Sequence, residues 1–99
     1  MPLFIKTETI KRTYLQNNNY KKKEVIKQHK IWIKSLKSKG LKIQSGFLID
    51  ENKSPGGGGI LIIECDSFNS ALRIVTQDPM IQNNLVDWKL FEWIDILPP

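Results

Sequence analysis

The closing stretch of the chain, Val86 to Leu97, alternates as a strand does, yet it is apolar on both of its faces. Val86, Trp88, Leu90, Ile94 and Ile96 share one parity, and Phe91, Trp93 and Leu97 share the other. Ile60 and Ile62 alternate with Leu61 and Ile63 in the same way. A sheet built from such strands must be covered on both sides. The 99 residues suffice for one domain with one core, and the two helices read below can cover only one face. The opposite face, with its Trp and Phe, is therefore expected to pack against a second copy of the chain, sheet against sheet. The alternative is that the ends of the last strand run past the sheet and fold over locally. Shortness favours the dimer, because a chain of this length removes only roughly 60 to 65% of its unfolded surface from water on folding.

The rest of the chain supplies the partners for that strand. Pro2 to Thr9, rich in Phe, Ile and Thr, reads as the first strand. Thr13 to Asn19, ending in three asparagines, reads as a loop. Lys21 to Lys39 carries apolar residues at helical spacing: Val25, Ile26, Trp32, Ile33 and Leu36 fall within one arc, and Lys23, Lys27, Lys30, Lys34 and Lys37 coat an outward one. Gly40 stands where a helix needs a left-handed terminator. Leu41 to Asp50 and Gly59 to Cys65 read as a hairpin pair of strands, joined by turn chemistry from Glu51 to Gly58. Ser67 caps a second helix bearing Phe68, Ala71, Leu72 and Val75, and Asp78-Pro79 opens a short helical stretch to about Leu85. The order β-α-β-β-α-β predicts an α+β fold, the ferredoxin-like sandwich with two helices on one face of an antiparallel sheet.

Charge is unevenly spread. Residues 1–42 hold 12 of the 15 basic residues and only Glu8 and Glu24 as acids, a balance of +10, whereas the remainder carries −5. The lysine face could touch phosphates without sequence preference, but lysines at helical spacing are how a surface helix stays solvated, and a nucleic-acid partner is not expected. An RNA-recognition sheet would need aromatics in its third strand, and Ile60 to Cys65 has none. The longest aliphatic run, Ile60-Leu61-Ile62-Ile63, is far short of the roughly 18 residues of a membrane span, so no membrane association is expected. One cysteine allows no intrachain disulfide and no Cys-rich zinc site, which points to a reducing, cytoplasmic setting. Cys65 reads as a buried structural thiol.

The one imidazole carries the candidate chemistry. His29 lies on the helical line of Val25, Trp32 and Leu36, near the middle of the apolar arc, and a buried imidazole needs partners for both ring nitrogens. Asp78 is the carboxylate offered, since the helix it opens can approach the first helix in this topology. Together they would form a general base, with Asp78 orienting the ring and stabilising the imidazolium. The bland alternative is a satisfied core histidine beside an ordinary Asp-Pro helix cap. The Ser45 hydroxyl and the backbone amides near Gly46 are candidate donors to an oxyanion on a bound substrate. No metal ligand set stands out. Pro55-Gly56-Gly57-Gly58-Gly59 precedes a strand rather than a helix, so it fits a flexible hairpin loop better than a phosphate cradle.

His29 with Trp32, Leu36 and Gly40, then Leu41, Ser45-Gly46-Phe47-Leu48, Gly57-Gly58-Gly59, Ile62-Ile63-Glu64, Ser67 with Ala71, and Asp78-Pro79 together resemble the YCII-related domain, along nearly the whole chain. The resemblance implies a dimeric α+β barrel, two ferredoxin-like subunits joined through their sheets. It also implies a catalytic role for the pair matching His29 and Asp78, in a family where some relatives resemble dehydrochlorinases or lactone isomerases acting on aromatic breakdown products. The chain departs from the pattern in its Asn- and Lys-rich segment before His29, where relatives carry an Arg-containing helix start, and in its long aromatic final strand. Two functional readings follow. One is a small lyase or isomerase that uses no cofactor, acting on a small, aromatic or lactone-type molecule. The other is a non-catalytic dimeric binding module in which His29 and Asp78 are a structural pair.

Overall fold

A computed structural model describes residues 1–15 and 20–97. Four strands form one antiparallel sheet: β1 (Leu3–Ile10), β2 (Ile43–Ile49), β3 (Pro55–Glu64) and β4 (Val86–Trp93), in the spatial order β2-β3-β1-β4. The single turn α1 (Arg12–Leu15) precedes the long helix α2 (Tyr20–Ser38), and the single turn α4 (Pro79–Gln82) follows the shorter α3 (Phe68–Val75). This is the expected α+β, ferredoxin-like βαββαβ arrangement.

The helix ends follow from the sequence. Gly40 adopts φ 91°; its N–H donates to the Lys37 carbonyl and the Leu41 N–H to the Leu36 carbonyl, the paired bonds of a Schellman terminus. Ser67 Oγ accepts the Ser70 N–H at 3.1 Å at the start of α3, and Asp78 caps α4 with Pro79 in its first turn. Along α2, Val25, His29 and Leu36 are buried, while Lys23, Lys27, Lys30, Lys34 and Lys37 are exposed.

Three boundaries differ from expectation. The glycine run is not a loop: β3 begins at Pro55, with Gly58 opposite Thr9 and Gly59 opposite both Glu8 and Phe47. A Cβ on Gly59 would stand 2.6 Å from the Gly46 carbonyl oxygen, and one on Gly58 would stand 2.9 Å from that of Glu8. The absence of side chains lets neighbouring backbones close in. The last strand ends at Trp93 rather than Leu97, making β3 the longest strand. Among the described residues its one neighbour in the sheet is β1, which begins at Leu3 opposite Trp93, so the pairing ends there. Within the expected Thr13–Asn19 loop, Thr13 to Leu15 instead belong to α1, and Asn17-Asn18-Asn19 lie outside the described residues.

Strand parity divides the sheet as the alternation requires. Phe4, Leu61, Ile63, Ile43 and Val86 are buried under the helices. Their apolar contacts fall into two clusters, one holding Phe4, Leu36, Leu61, Ala71 and Val75, the other Val25, Met80, Leu85 and Val86. On the far face Leu3, Leu48, Phe91 and Trp93 are exposed, and Ile5, Ile60 and Ile62 are half-buried. No helix among the described residues is long and apolar enough to cross a membrane. Cys65 is a buried free thiol, its pKa raised by burial and by the neighbouring Asp66 charge.

Candidate active site

Between the two apolar clusters lies a line of polar side chains drawn from four elements. The parity that buries Phe4 also turns Lys6 and Glu8 toward the helices. Lys6 is completely buried, and its Nζ donates to Glu8 Oε1 and to Asp78 Oδ2, each at 2.6 Å. His29, one turn beyond Val25 on the buried face of α2, places Nδ1 2.8 Å from Asp78 Oδ1. Its Nε2 lies 2.8 Å from Ser45 Oγ on β2. The Trp32 ring leans against the imidazole, with centroids 5.8 Å apart.

Asp78 occupies the centre of this line. Oδ1 accepts the Met80 N–H at 2.9 Å, the helix-cap bond, as well as the His29 contact, while Oδ2 accepts from Lys6. Burial, the largest single influence, would raise its pKa. The His29 hydrogen bond, the Lys6 charge and their further contributions outweigh burial and hold the carboxyl below its ordinary value. The carboxylate is thus ionised at neutral pH and can only accept. That settles the roles on neutral His29: Nδ1–H donates to Asp78, Nε2 carries the lone pair, and the Ser45 hydroxyl donates to it. Two carboxylates facing one ammonium leave the cluster with one negative charge, which a proton arriving on Nε2 would neutralise.

His29 and Ser45 open on a pocket of about 650 Å³. Ile26, Ile33, Phe47 and Met80 give it apolar walls, Lys30 stands at its rim, and Glu8 and Gly46 also line it. His29, Asp78, Ser45 and Gly46, the candidates from sequence, are therefore brought to one place. Lys6 and Glu8 carry no motif that marks them in the sequence. The available signal was their shared parity with Phe4, which puts two charges on the face that must be buried. Among the described residues no three His, Cys, Asp or Glu side chains converge as a metal-ligand set.

Fold and site together define a small α+β domain with a buried carboxylate-imidazole pair whose second ring nitrogen, bonded to Ser45, adjoins a pocket. The chain belongs to the YCII-related domain family, whose model matches residues 8–94. Among solved structures it is similar to 5-chloro-2-hydroxyhydroquinone dehydrochlorinase from Burkholderia phenoliruptrix AC1100, in complex with 2,5-dihydroxybenzoquinone. Identity is 21%, the TM-score is 0.69, and 93% of each chain is covered. No curated protein matches the chain significantly.

The buried cation is expected to hold this site together. Lys6→Met leaves two carboxylates without their shared counter-ion, and urea unfolding at neutral pH should show a loss of about 3–5 kcal/mol. The folded pKa of Asp78 is depressed, so its contribution is fully present above the unfolded value of about 3.9 and is lost as pH falls through the folded value. The penalty of Lys6→Met should accordingly shrink in acid. A penalty unchanged between pH 7 and pH 3 would contradict a charge-based role.

Proposed function

We propose that the protein is a small lyase or isomerase in which His29 is the general base. The observation that carries this reading is the hydrogen-bonded line Lys6-Asp78-His29, ending at an imidazole nitrogen that adjoins the pocket. The substrate is a small ring compound, aromatic or lactone-type, with a proton made acidic by an adjacent carbonyl or ring hydroxyl. On binding it takes the place of the Ser45 hydroxyl at Nε2. His29 removes the proton, Asp78 keeps the ring oriented and stabilises the imidazolium, and the Ser45 hydroxyl with the amides near Gly46 donates to the oxyanion. In an elimination the electron pair expels a leaving group such as chloride, and the proton passes to solvent. In an isomerisation it returns to the next carbon. The chain's own side chains and backbone amides, with solvent as proton acceptor, supply these roles, so the reaction as proposed calls on no metal or cofactor. The likeness to a dehydrochlorinase supports the reaction class and leaves the substrate open. The free, buried Cys65 supports a cytoplasmic setting.

The experiment is a substrate screen, beginning with chloride release from 5-chloro-2-hydroxyhydroquinone and double-bond shifts in unsaturated lactones. For any substrate found, His29→Asn should lower kcat by about 10²- to 10⁴-fold. Activity unaffected by this change would remove His29 as the base. Turnover of no substrate, with ligands still binding, would favour the alternative of a binding module in which His29 and Asp78 are structural.

We also propose that the working form is a homodimer joined through the far faces of the two sheets. Leu3, Phe91 and Trp93 are 37%, 49% and 54% exposed on one side of the sheet, neighbours of the half-buried Ile5 and Ile62 in the strand register, an apolar patch of the kind a second subunit covers. Light scattering at micromolar concentration should give twice the chain mass, and Phe91→Lys should give the monomer. A monomeric wild type would contradict this packing.

A further inference from the structure

Beyond elimination or isomerisation, we infer that Ser45 is a His29-activated nucleophile, so that the same pocket can carry acyl transfer from small esters of apolar or aromatic acids. Ser45 Oγ, His29 Nε2, His29 Nδ1 and Asp78 Oδ1 form an unbroken line with 2.8 Å at both hydrogen bonds. The direction of each bond is fixed, because an acceptor-only carboxylate takes the Nδ1 proton and leaves Nε2 to receive the hydroxyl proton. Nucleophile, base and orienting group thus stand in the relation that activated serines share on unrelated folds.

Access and charge stabilisation also favour the reaction. Ser45 is solvent-exposed on β2, an edge strand, and lines the pocket with the apolar side chains of Ile26, Ile33, Phe47 and Met80. The Glu64 N–H donates to the Lys42 carbonyl at 3.1 Å, which places Lys42, Gln44 and Gly46 in the hydrogen-bonded positions toward β3. The N–H of Ser45 therefore points to the open edge of the sheet, where a backbone donor is available to an oxyanion formed on its own side chain.

The reaction balances with water alone. Ser45 Oγ bonds to the ester carbonyl carbon while its proton moves to Nε2. The carbon-oxygen bond to the leaving alcohol or phenol breaks, and the leaving oxygen takes that proton. Water then attacks the acyl carbon, passing a proton to Nε2 that returns to Ser45 as the free acid departs. The net change is hydrolysis, with nothing oxidised or reduced.

An alkyl fluorophosphonate tests this on the intact protein. Ser45 Oγ would bond to phosphorus as the phosphorus-fluorine bond breaks, and the hydroxyl proton would leave with fluoride. Intact mass and peptide mapping should show one adduct, on Ser45, in the wild type and none there in Ser45→Ala. Labelling of His29→Gln should be slower by about 10²-fold or more. 4-Nitrophenyl acetate should likewise acetylate Ser45, releasing a burst of nitrophenol equal to the protein present. A wild type unmodified at Ser45 by excess fluorophosphonate would overturn the inference, and so would a His29→Gln variant labelled at the wild-type rate. The first of these outcomes is read on Ser45 of the wild type, so it depends neither on the variants folding nor on whether the protein eliminates chloride.

Discussion

The Asp78 carboxylate is the point at which the fold and the site become one problem. It caps α4, accepts the Nδ1 proton of His29 and shares the buried Lys6 ammonium with Glu8. A carboxylate taken out of water must be compensated at each lone pair, or it protonates. Here the helix end, the ring and the cation each supply one compensation. The cap sets the position of the carboxylate along the chain, the carboxylate sets the tautomer of His29, and the tautomer makes Nε2 the basic nitrogen at the pocket. The packing reading of Asp78 as a helix cap and the chemical reading as an orienting group are both satisfied by the same oxygen.

The sheet serves the site by its two parities. The helix-facing parity of β1 runs Phe4, Lys6, Glu8 and so delivers charge into the region between the two apolar clusters, where α2 brings His29. The hairpin of β2 and β3 brings Ser45 across from the same helix, and the glycines of β3 allow the neighbouring strands to close to distances that a Cβ would forbid. The opposite parity contributes no side chain to the site and leaves Leu3, Phe91 and Trp93 exposed.

Much of this was legible in the residues. Helical spacing located α2 to within a residue at either end, Gly40 and Ser67 marked helix ends through their specific backbone and side-chain chemistry, and Asp78-Pro79 marked the start of α4. His29 was recognisable because a lone imidazole on an apolar arc needs partners. The unread parts depend on contacts distant in sequence. Lys6 meets Asp78 across 72 positions, so its own strand, which reads as ordinary, could not announce the ion pair. Ser45 reaches His29 only because the hairpin folds back beside α2. The glycine run has turn composition, and its pairing in β3 is decided by the neighbouring strands rather than by local preference. The end of β4 is set by where β1 begins, although the alternation of its sequence continues further.

Everything proposed for the pocket depends on Asp78 fixing the tautomer of neutral His29, with the proton on Nδ1 and the lone pair on Nε2. Since His29 is the only histidine, a long-range ¹H–¹⁵N correlation spectrum of the labelled protein reports its ring without ambiguity. The neutral ring should show a protonated Nδ1 and an unprotonated Nε2 in the wild type, with that preference lost in Asp78→Asn. A neutral ring carrying its proton on Nε2 in the wild type would contradict it.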